Sequence, residues 1–219
     1  MKRFARVACV VVALLIIAAS NSSAQPPVGA DESRFYAGLT LGPTFGHKSS
    51  GFIGIEAGAS VQGPVAVFVE GGHMNNVGTA DLDARAQTIA NAVGATASAS
   101  YKVNYFAVGV RVAPDLAMKF RPHVSLGGGV ASVKAETALA VGGTTVPPES
   151  LGVQFGTDLS GSEKKGYFTI GGGVLYTFAQ RYYADLSYRY GHIGAKTSQI
   201  ENDKGINTQR LQIAVGVKF

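Results

Sequence analysis

The sequence has a single cysteine, no tryptophan and few charged residues. One cysteine cannot form a disulfide within its own chain, so a disulfide-stapled scaffold is excluded. Only 8 prolines accompany 29 glycines among the 219 residues, and the glycines follow no Gly-X-Y period, which excludes a collagen-like chain. Charged residues make up only 15% of the chain while 46% is hydrophobic, so the apolar surface suffices for a folded protein and argues against disorder.

Long hydrophobic runs are missing except at the N-terminus, where 13 apolar residues follow one another over Val7–Ala19. A transmembrane helix needs about 20 residues, so an uncleaved anchor is the weaker alternative. Three cations precede the run and the small residues Ser22–Ala24 follow it, which is the pattern of a secretory signal peptide. We therefore expect three segments: a signal peptide over residues 1–24, an exposed linker over 25–33 and one folded domain over 34–219.

Removal of the signal peptide changes the charge balance. The leader would take with it Cys9 and the cations Lys2, Arg3 and Arg6, which leaves 16 Lys and Arg against 14 Asp and Glu, a net charge of +2. A nucleic-acid-binding domain would need a concentrated basic face. The near-neutral balance therefore predicts no nucleic-acid partner.

The dominant hydrophobic period of residues 34–219 is two, which predicts β-strands rather than helices. Eight segments show this alternation, and an even number of antiparallel strands can close with both ends on the same side. The predicted strands are Phe35–Leu41, Ile53–Val61, Val65–Val69, Phe106–Val112, Val124–Val130, Phe168–Phe178, Tyr182–Tyr190 and Leu211–Phe219.

The connections between these strands alternate in length. Short connections at 62–64, 113–119 and 179–181 alternate with long ones at 74–100, 135–165 and 193–205, although 47–50 is short. Outer-membrane barrels have short periplasmic turns and longer extracellular loops. The sequence therefore predicts an all-β fold, an eight-stranded antiparallel transmembrane β-barrel whose apolar face contacts lipid and whose small and polar face lines a narrow lumen.

Aromatic residues on the apolar face fall at the two ends of the predicted strands, as the aromatic girdles of a membrane barrel do. The short-turn end has five and the long-loop end has three. The predicted girdle residues are Phe35, Phe120, Phe178, Tyr182 and Phe219 at the first end, and Phe45, Phe168 and Tyr190 at the second.

The chain resembles the small eight-stranded outer-membrane barrels, the opacity-like and outer membrane protein A, X and W relatives. The resemblance rests on the exported N-terminus, on ADLSYRYG at Ala184–Gly191, on the Pro-x-x-x-x-Gly-x-Gly strand Pro122–Gly129 and on the terminal strand closed by Phe219. It implies a location in the outer membrane of a Gram-negative bacterium. It also implies that Phe219 resembles the signal read by the barrel-assembly machinery.

Charged residues on the inward face predict an ion-pair network in the lumen. Glu56 and Glu70 should lie nearly opposite each other, where they repel unless cations join them. Inward-facing Arg111, Arg189 and, as a further option, Lys102 are the cations available. The expected members are Glu56, Glu70, Arg111, Asp185 and Arg189, and they either fill the barrel or form a gate or proton path.

Catalytic and metal sites are weak alternatives. His123, Ser125 and Glu136 have the His-x-Ser plus acid arrangement of outer-membrane lipid A deacylases, in which His activates a Ser nucleophile. Both His123 and Ser125 fall on the inward parity, however, whereas such an enzyme must present them to lipid. His47, His73 and His192 match no ligand spacing. We therefore expect no catalysis, no cofactor and no metal.

The long loops are the surface on which outside partners can act. Residues 81–93 carry apolar residues at helical spacing, so either a short amphipathic helix or an extension of the flanking strands is expected. Five lysines near this end suit lipopolysaccharide phosphates, or simply solubility: Lys48, Lys102, Lys164, Lys165 and Lys196. The expected role is structural or surface interaction with an unknown extracellular ligand; a narrow channel for small solutes is the alternative, and a lipid A-modifying enzyme is third.

Overall fold

The computed structural model describes residues 34–46, 48–114, 119–153, 160–178, 181–194 and 205–219. The expected signal peptide and linker, the histidine at position 47 and the lysine at position 196 lie outside these ranges. No helix within these ranges is long and apolar enough to cross a membrane.

Nine strands and one α-helix make up the described chain. The helix, α1, spans Ala80–Ala92, and a 3-10 helix spans Pro148–Leu151. The strands are β1 Phe35–Phe45, β2 Ser50–Gln62, β3 Val65–Met74, β4 Thr96–Val112, β5 Phe120–Val141, β6 Thr144–Val146, β7 Gly161–Phe178, β8 Tyr182–Ile193 and β9 Ile206–Lys218.

Eight of these strands close into an antiparallel barrel, which confirms the predicted fold. The sheet has the order β4-β3-β2-β1-β9-β8-β7-β5-β6, and an additional β4–β5 pairing closes it. The three-residue strand β6 pairs only with the end of β5 and is not part of the barrel wall. The chain ends meet where β1 pairs with β9, and there Phe35 and Phe219 exchange backbone hydrogen bonds of 3.0 and 2.9 Å.

The two faces of the wall have opposite polarity to those of a soluble barrel. Outward-facing aliphatic residues are exposed, with Leu39 at 56% and Ile55 at 64%. Inward-facing Thr40, Glu56 and Arg189 are buried. An apolar outer surface on a closed wall suits hydrocarbon, because closure pairs the backbone groups that lipid cannot satisfy.

Large inward-facing rings lie against inward-facing glycines of neighbouring strands. An ideal Cβ on Gly109 would lie 2.4 Å from the ring of Phe68, and one on Gly58 would lie 2.5 Å from the ring of Tyr36. The hydroxyl of Tyr183, from β8 two strands away, occupies the space beside Gly38. The interior of an eight-stranded barrel is only just wide enough for side chains. Glycine on one strand therefore makes room for an aromatic ring from the next.

The wall rises higher on one side, because β4, β5 and β7 continue beyond the other strands toward the long-loop end. We call this part the extended wall: residues 96–102 of β4, 132–141 of β5 and 161–165 of β7. The sequence predicted loops over 74–100 and 135–165. The structure corrects both predictions, since Thr96 pairs with Ala140 and Ala135 pairs with Gly161 in regular antiparallel ladders.

Helix α1 packs on the extended wall, so the predicted amphipathic helix is confirmed together with the strand extension. The Thr79 hydroxyl accepts a hydrogen bond from the Leu82 N–H at 3.3 Å and caps the helix N-terminus. Leu82 and Ala86 are buried against Ala99, while Ala90 is buried in a cluster with Leu139. The apolar stripe of the helix thus covers the lumen side of the wall.

The free edge of β4 in the extended wall is capped by side chains and loop backbone rather than by another strand. An exposed strand edge is a template for pairing with other chains. Four hydrogen bonds cover it: Ala97 N–H to Gln87 Oε1 at 3.1 Å, Lys48 Nζ to the Ala99 carbonyl at 2.7 Å, Val77 N–H to the Tyr101 carbonyl at 2.9 Å and Tyr101 N–H to Asn76 Oδ1 at 3.4 Å. Residues of the β3–β4 connection therefore protect most of this edge.

Candidate functional site

Four charged side chains meet in the middle of the lumen. Glu56 on β2 is the direct register partner of Glu70 on β3. Arg111 donates from Nη2 to Glu56 at 2.7 Å. Arg189 donates to Glu56 from Nη2 at 2.6 Å and contacts Glu70 through Nη1. The structure therefore brings Glu56, Glu70, Arg111 and Arg189 together, with Arg189 joining the two carboxylates.

Arg210 and Tyr105 belong to the same network, although neither was among its predicted members. Arg210 Nη2 lies 2.9 Å from Glu70 Oε1, and the Tyr105 hydroxyl donates to the same oxygen at 2.7 Å. Arg210 also contacts the Tyr105 hydroxyl. The signal for Arg210 was present: it shares the inward parity of Gln212, but the predicted strand began one residue later, at Leu211.

Aromatic rings fill the space between the guanidinium groups. The Phe68 ring centroid lies 5.7 Å from Arg111 Cζ and 5.2 Å from Arg189 Cζ. Arg210 Cζ lies 4.8 Å from the Tyr105 ring. Cations at these distances are attracted to the ring faces. The charged layer is thus packed with apolar rings.

Asp185, which was predicted as a member of the network, has its direct ion-pair contact with His123. Its Oδ2 contacts His123 Nε2, and both side chains are buried below the arginine layer, toward the short-turn end. His123 is on β5 and Asp185 is on β8, with β7 between them in the wall. The contact therefore joins side chains that are two strands apart.

Lys102 does not enter the lumen. Val103 and Tyr105 are buried on the inward parity of β4, and Lys102 faces outward on the extended wall. Its Nζ binds Glu136 at 2.7 Å, and Lys134 binds the same carboxylate at 2.9 Å. The option that Lys102 neutralises the luminal carboxylates is therefore wrong.

An apolar layer covers the charged layer toward the long-loop end. Eleven buried residues from seven strands and the β3–β4 connection pack together there. They are Phe52, Met74, Val77, Val103, Tyr105, Ala107, Ala131, Val133, Tyr167, Ile193 and Ile206. Within the described residues, the lumen is therefore occupied by side chains from its long-loop end to its middle.

The arrangement does not fit a lipid deacylase. His123 is enclosed in the lumen, and its acidic partner is Asp185. Glu136 lies on the outer face of the same strand, 13 residues further along, which at about 3.3 Å per residue is roughly 40 Å away. The His123, Ser125 and Glu136 constellation predicted as an alternative therefore does not form.

Metal-ligating residues do not cluster in the part of the chain that the structure describes. His73 pairs through Nδ1 with Asn104 at 2.8 Å, and His192 pairs with Asn207 at 2.7 Å. The two histidines lie on β3 and β8, which are not neighbours in the wall. Each imidazole is held by an amide side chain.

Outward-facing aromatic residues form a stacked row at the short-turn end. Phe120, Tyr176, Phe178 and Tyr182 follow one another with centroid separations of 4.8, 6.0 and 5.9 Å. Phe35 stacks on Phe219 at 6.2 Å across the β1–β9 seam. Tyr176 was not among the predicted girdle residues. Phe45 at 41% and Phe168 at 40% are exposed near the other end of the strands, and Tyr190 there is half-buried.

A closed antiparallel wall with an apolar exterior, aromatic residues near both ends and a filled polar lumen defines a transmembrane β-barrel of the outer-membrane type. The chain belongs to the outer membrane protein beta-barrel domain family, whose model matches residues 9–219. The protein is therefore an outer-membrane protein.

Solved structures of similar fold are also small outer-membrane barrels. Neisserial surface protein A is 15% identical, with a TM-score of 0.55 over 84% of this chain and 97% of its own. A major outer membrane protein from Thermus thermophilus is 10% identical, with a TM-score of 0.53 over 84% and 99%. At such identities the likeness extends to the fold alone. No curated protein sequence matches the chain significantly.

Proposed function

We propose that this protein is a non-enzymatic outer-membrane barrel with a structural or surface-interaction role, exercised through the part of the chain above the outer girdle. The single observation that carries the proposal is the filled lumen. Arg189 joins two facing carboxylates across the middle of the barrel, and an apolar layer that includes Phe52, Met74 and Tyr167 packs above it.

The burial of the charged layer supports a plug rather than a conduit. The side chains of Arg189, Glu56 and Glu70 are each at most 2% exposed. A conducting lumen needs a continuous path for water, and these groups bind one another instead. A buried ion-pair network of this kind fixes one packing of the lumen, because removing a single member leaves an unpaired charge.

Planar-bilayer recording of the full chain tests this role. We expect no steady conductance from the wild-type protein. A matched variant, Phe68→Gly with Arg189→Gly, removes the ring and the guanidinium that bridge the lumen and should introduce conductance steps. A large steady conductance of the wild-type protein would overturn the proposal, provided that heat-modifiable gel mobility shows a folded barrel.

A narrow path for water or small ions is the second candidate function. It is favoured by buried polar groups on the β1–β9 side, where the hydroxyls of Thr40 and Thr44 and both amide atoms of Gln212 have no hydrogen-bond partner among the described residues. Such groups usually bind ordered water. Small cation currents that Gln212→Leu abolishes would favour this path.

The remaining partners follow from the surface of the barrel. The apolar exterior suits outer-membrane lipids, and the resemblance of Phe219 to an assembly signal suits the barrel-assembly machinery. Phe219 is 66% exposed at the end of β9, which is accessible to a recognising partner. Helix α1 and the extended wall are the surface that we propose for contact with an extracellular ligand.

A further inference from the structure

The outer face of the extended wall carries three lysines in adjacent positions. Lys102 on β4 is the direct register partner of Lys134 on β5, and Lys134 is diagonal to Lys164 on β7. Ser132 and Ser162 lie between them, with their hydroxyls 3.3 Å apart. We call these five residues the lysine patch. All of them project from the outside of the barrel.

The lysine patch has a fixed height above the apolar surface. Each lysine lies four residues from an outward-facing apolar residue on its own strand: Lys102 from Phe106, Lys134 from Val130 and Lys164 from Phe168. Four residues span about 13 Å along a strand. At a strand tilt of about 40° this is roughly 10 Å of height. Lysine side chains reach back toward such an interface with their charged ends.

Within the described ranges, the ion pairs of the lysine patch all go to one carboxylate, that of Glu136. Like charges in directly opposite positions of a sheet destabilise it. Glu136 binds both Lys102 and Lys134, at 2.7 and 2.9 Å, so one carboxylate is shared by two ammonium groups. Lys164 is exposed on the same face. The arrangement favours a further anion that bridges the three lysines.

We propose that the lysine patch binds the phosphate groups of the phosphorylated glycolipid that forms the outer leaflet, the lipid A part of lipopolysaccharide. The exterior below the patch contacts acyl chains and the patch lies at headgroup height, so one lipid molecule meets both surfaces. The Ser132 and Ser162 hydroxyls supply hydrogen-bond donors between the lysines, and ammonium groups form short charge-assisted bonds to phosphate oxygens.

The test uses the full chain folded in zwitterionic micelles and titrated with bisphosphorylated lipid A. Binding is followed by the backbone amide signals of Ser132 and Ser162. We expect the triple variant Lys102→Gln, Lys134→Gln, Lys164→Gln to bind about tenfold more weakly or worse. The triple Lys→Arg variant should bind like wild type. The control variant removes three exposed cations elsewhere on the protein: Arg34→Gln, Arg85→Gln, Lys119→Gln. It should bind lipid A as tightly as the wild-type protein does.

Two further probes separate the possible anions. Lipid A without its phosphates should bind at least about tenfold more weakly, because the charges that the lysines recognise are gone. Inorganic phosphate at the same concentration should not compete. Equal binding of both lipid forms, equal losses in the two triple glutamine variants, or full competition by inorganic phosphate would each overturn the proposal. None of these results depends on whether the lumen conducts.

Discussion

Glu56 and Glu70 face each other across the β2–β3 ladder, and one guanidinium, that of Arg189, joins them. Two carboxylates in register on a buried face repel. The arginines must therefore compensate this repulsion for the two carboxylates to stay buried side by side. The relationship makes the barrel interior dependent on a few individual charges.

Arg189→Met tests this dependence, since methionine keeps the approximate bulk of the side chain but removes its charge. We expect a loss of about 3–5 kcal/mol in the free energy of unfolding, because breaking a buried pair leaves an uncompensated charge. Urea unfolding in micelles, followed by far-ultraviolet circular dichroism, measures it. The control Arg85→Met alters an exposed arginine of α1 and should stay within about 0.5 kcal/mol of wild type. Equal free energies of unfolding for Arg189→Met and Arg85→Met would show that the ion-pair network does not stabilise the fold.

Gly128 and Gly129 offer a matched pair in adjacent positions of β5. An ideal Cβ on Gly129 would lie 1.9 Å from the Phe106 carbonyl oxygen, whereas one on Gly128 would meet nothing closer than 3.7 Å. Gly129→Ala should therefore reduce the folded fraction strongly. Gly128→Ala should be neutral or stabilise the barrel by about 0.5–1 kcal/mol. Heat-modifiable gel mobility separates folded from unfolded protein, and a reversed order of the two variants contradicts the packing described.

Ala86→Asp should release α1 from the extended wall while leaving the barrel folded. Ala86 is fully buried against Leu82 and Ala99, so a carboxylate there would be desolvated without a partner. Trypsin should then cut at Arg85 in intact cells, and the heat-modifiable band should persist. The control Ala84→Asp lies on the exposed side of the same helix and should stay resistant. Equal cleavage of the two variants would mean that α1 is not held by this contact.

Glu136 gives a pH-dependent prediction. Its hydrogen bond from Lys102, and then that from Lys134, holds the pKa of this carboxyl below its usual range. A carboxyl with a lowered pKa stabilises the fold above its unfolded pKa, about 4.3, and that contribution is lost as the pH falls through the folded pKa. A carbon-13 titration should therefore place the Glu136 midpoint below about 4.3. In the double variant Lys102→Gln, Lys134→Gln the Glu136 midpoint should rise. An unchanged midpoint would show that the two lysines do not lower the pKa of this carboxyl.

Phe219→Ala should strongly lower the amount of barrel assembled in the outer membrane. Its effect on the free energy of unfolding should be smaller. The ring contacts only Phe35 among the described aromatic pairs, so little packing is lost. If the residue is an assembly signal, the outer-membrane fraction should contain less heat-modifiable barrel. Phe120→Ala is the control, because Phe120 is similarly exposed and stacks on Tyr176. Equal yields of the two variants would argue against a special role for Phe219.

Period-two alternation was enough to predict the eight barrel strands and which face meets lipid, because that face is uniformly apolar. It failed where the wall leaves the membrane. In Thr96–Tyr101 the residues alternate between small and polar without an apolar stripe, and α1 rather than lipid or a neighbouring strand covers the inner side. Strand bounds there depend on a tertiary contact that local periodicity does not encode.

It was harder to predict which luminal side chains pair with one another than which residues face the lumen. The facing pair Glu56 and Glu70 follows from one hairpin, because the turn at Gly63 sets its register. The contact of Asp185 with His123 spans two ladders, so it depends on strand order and stagger together. Arg210 was missed for a simpler reason, since the predicted strand began one residue after it, at Leu211.

The capped edge of β4 has a consequence for how densely such a protein can occupy a membrane. Gln87, Lys48 and the Val77 backbone occupy most of the hydrogen-bonding groups through which a neighbouring chain would extend the sheet. Copies that collide side by side in a crowded bilayer thus meet satisfied backbone along this edge. They therefore stay separate molecules and do not pair edge to edge into a continuous intermolecular β-sheet.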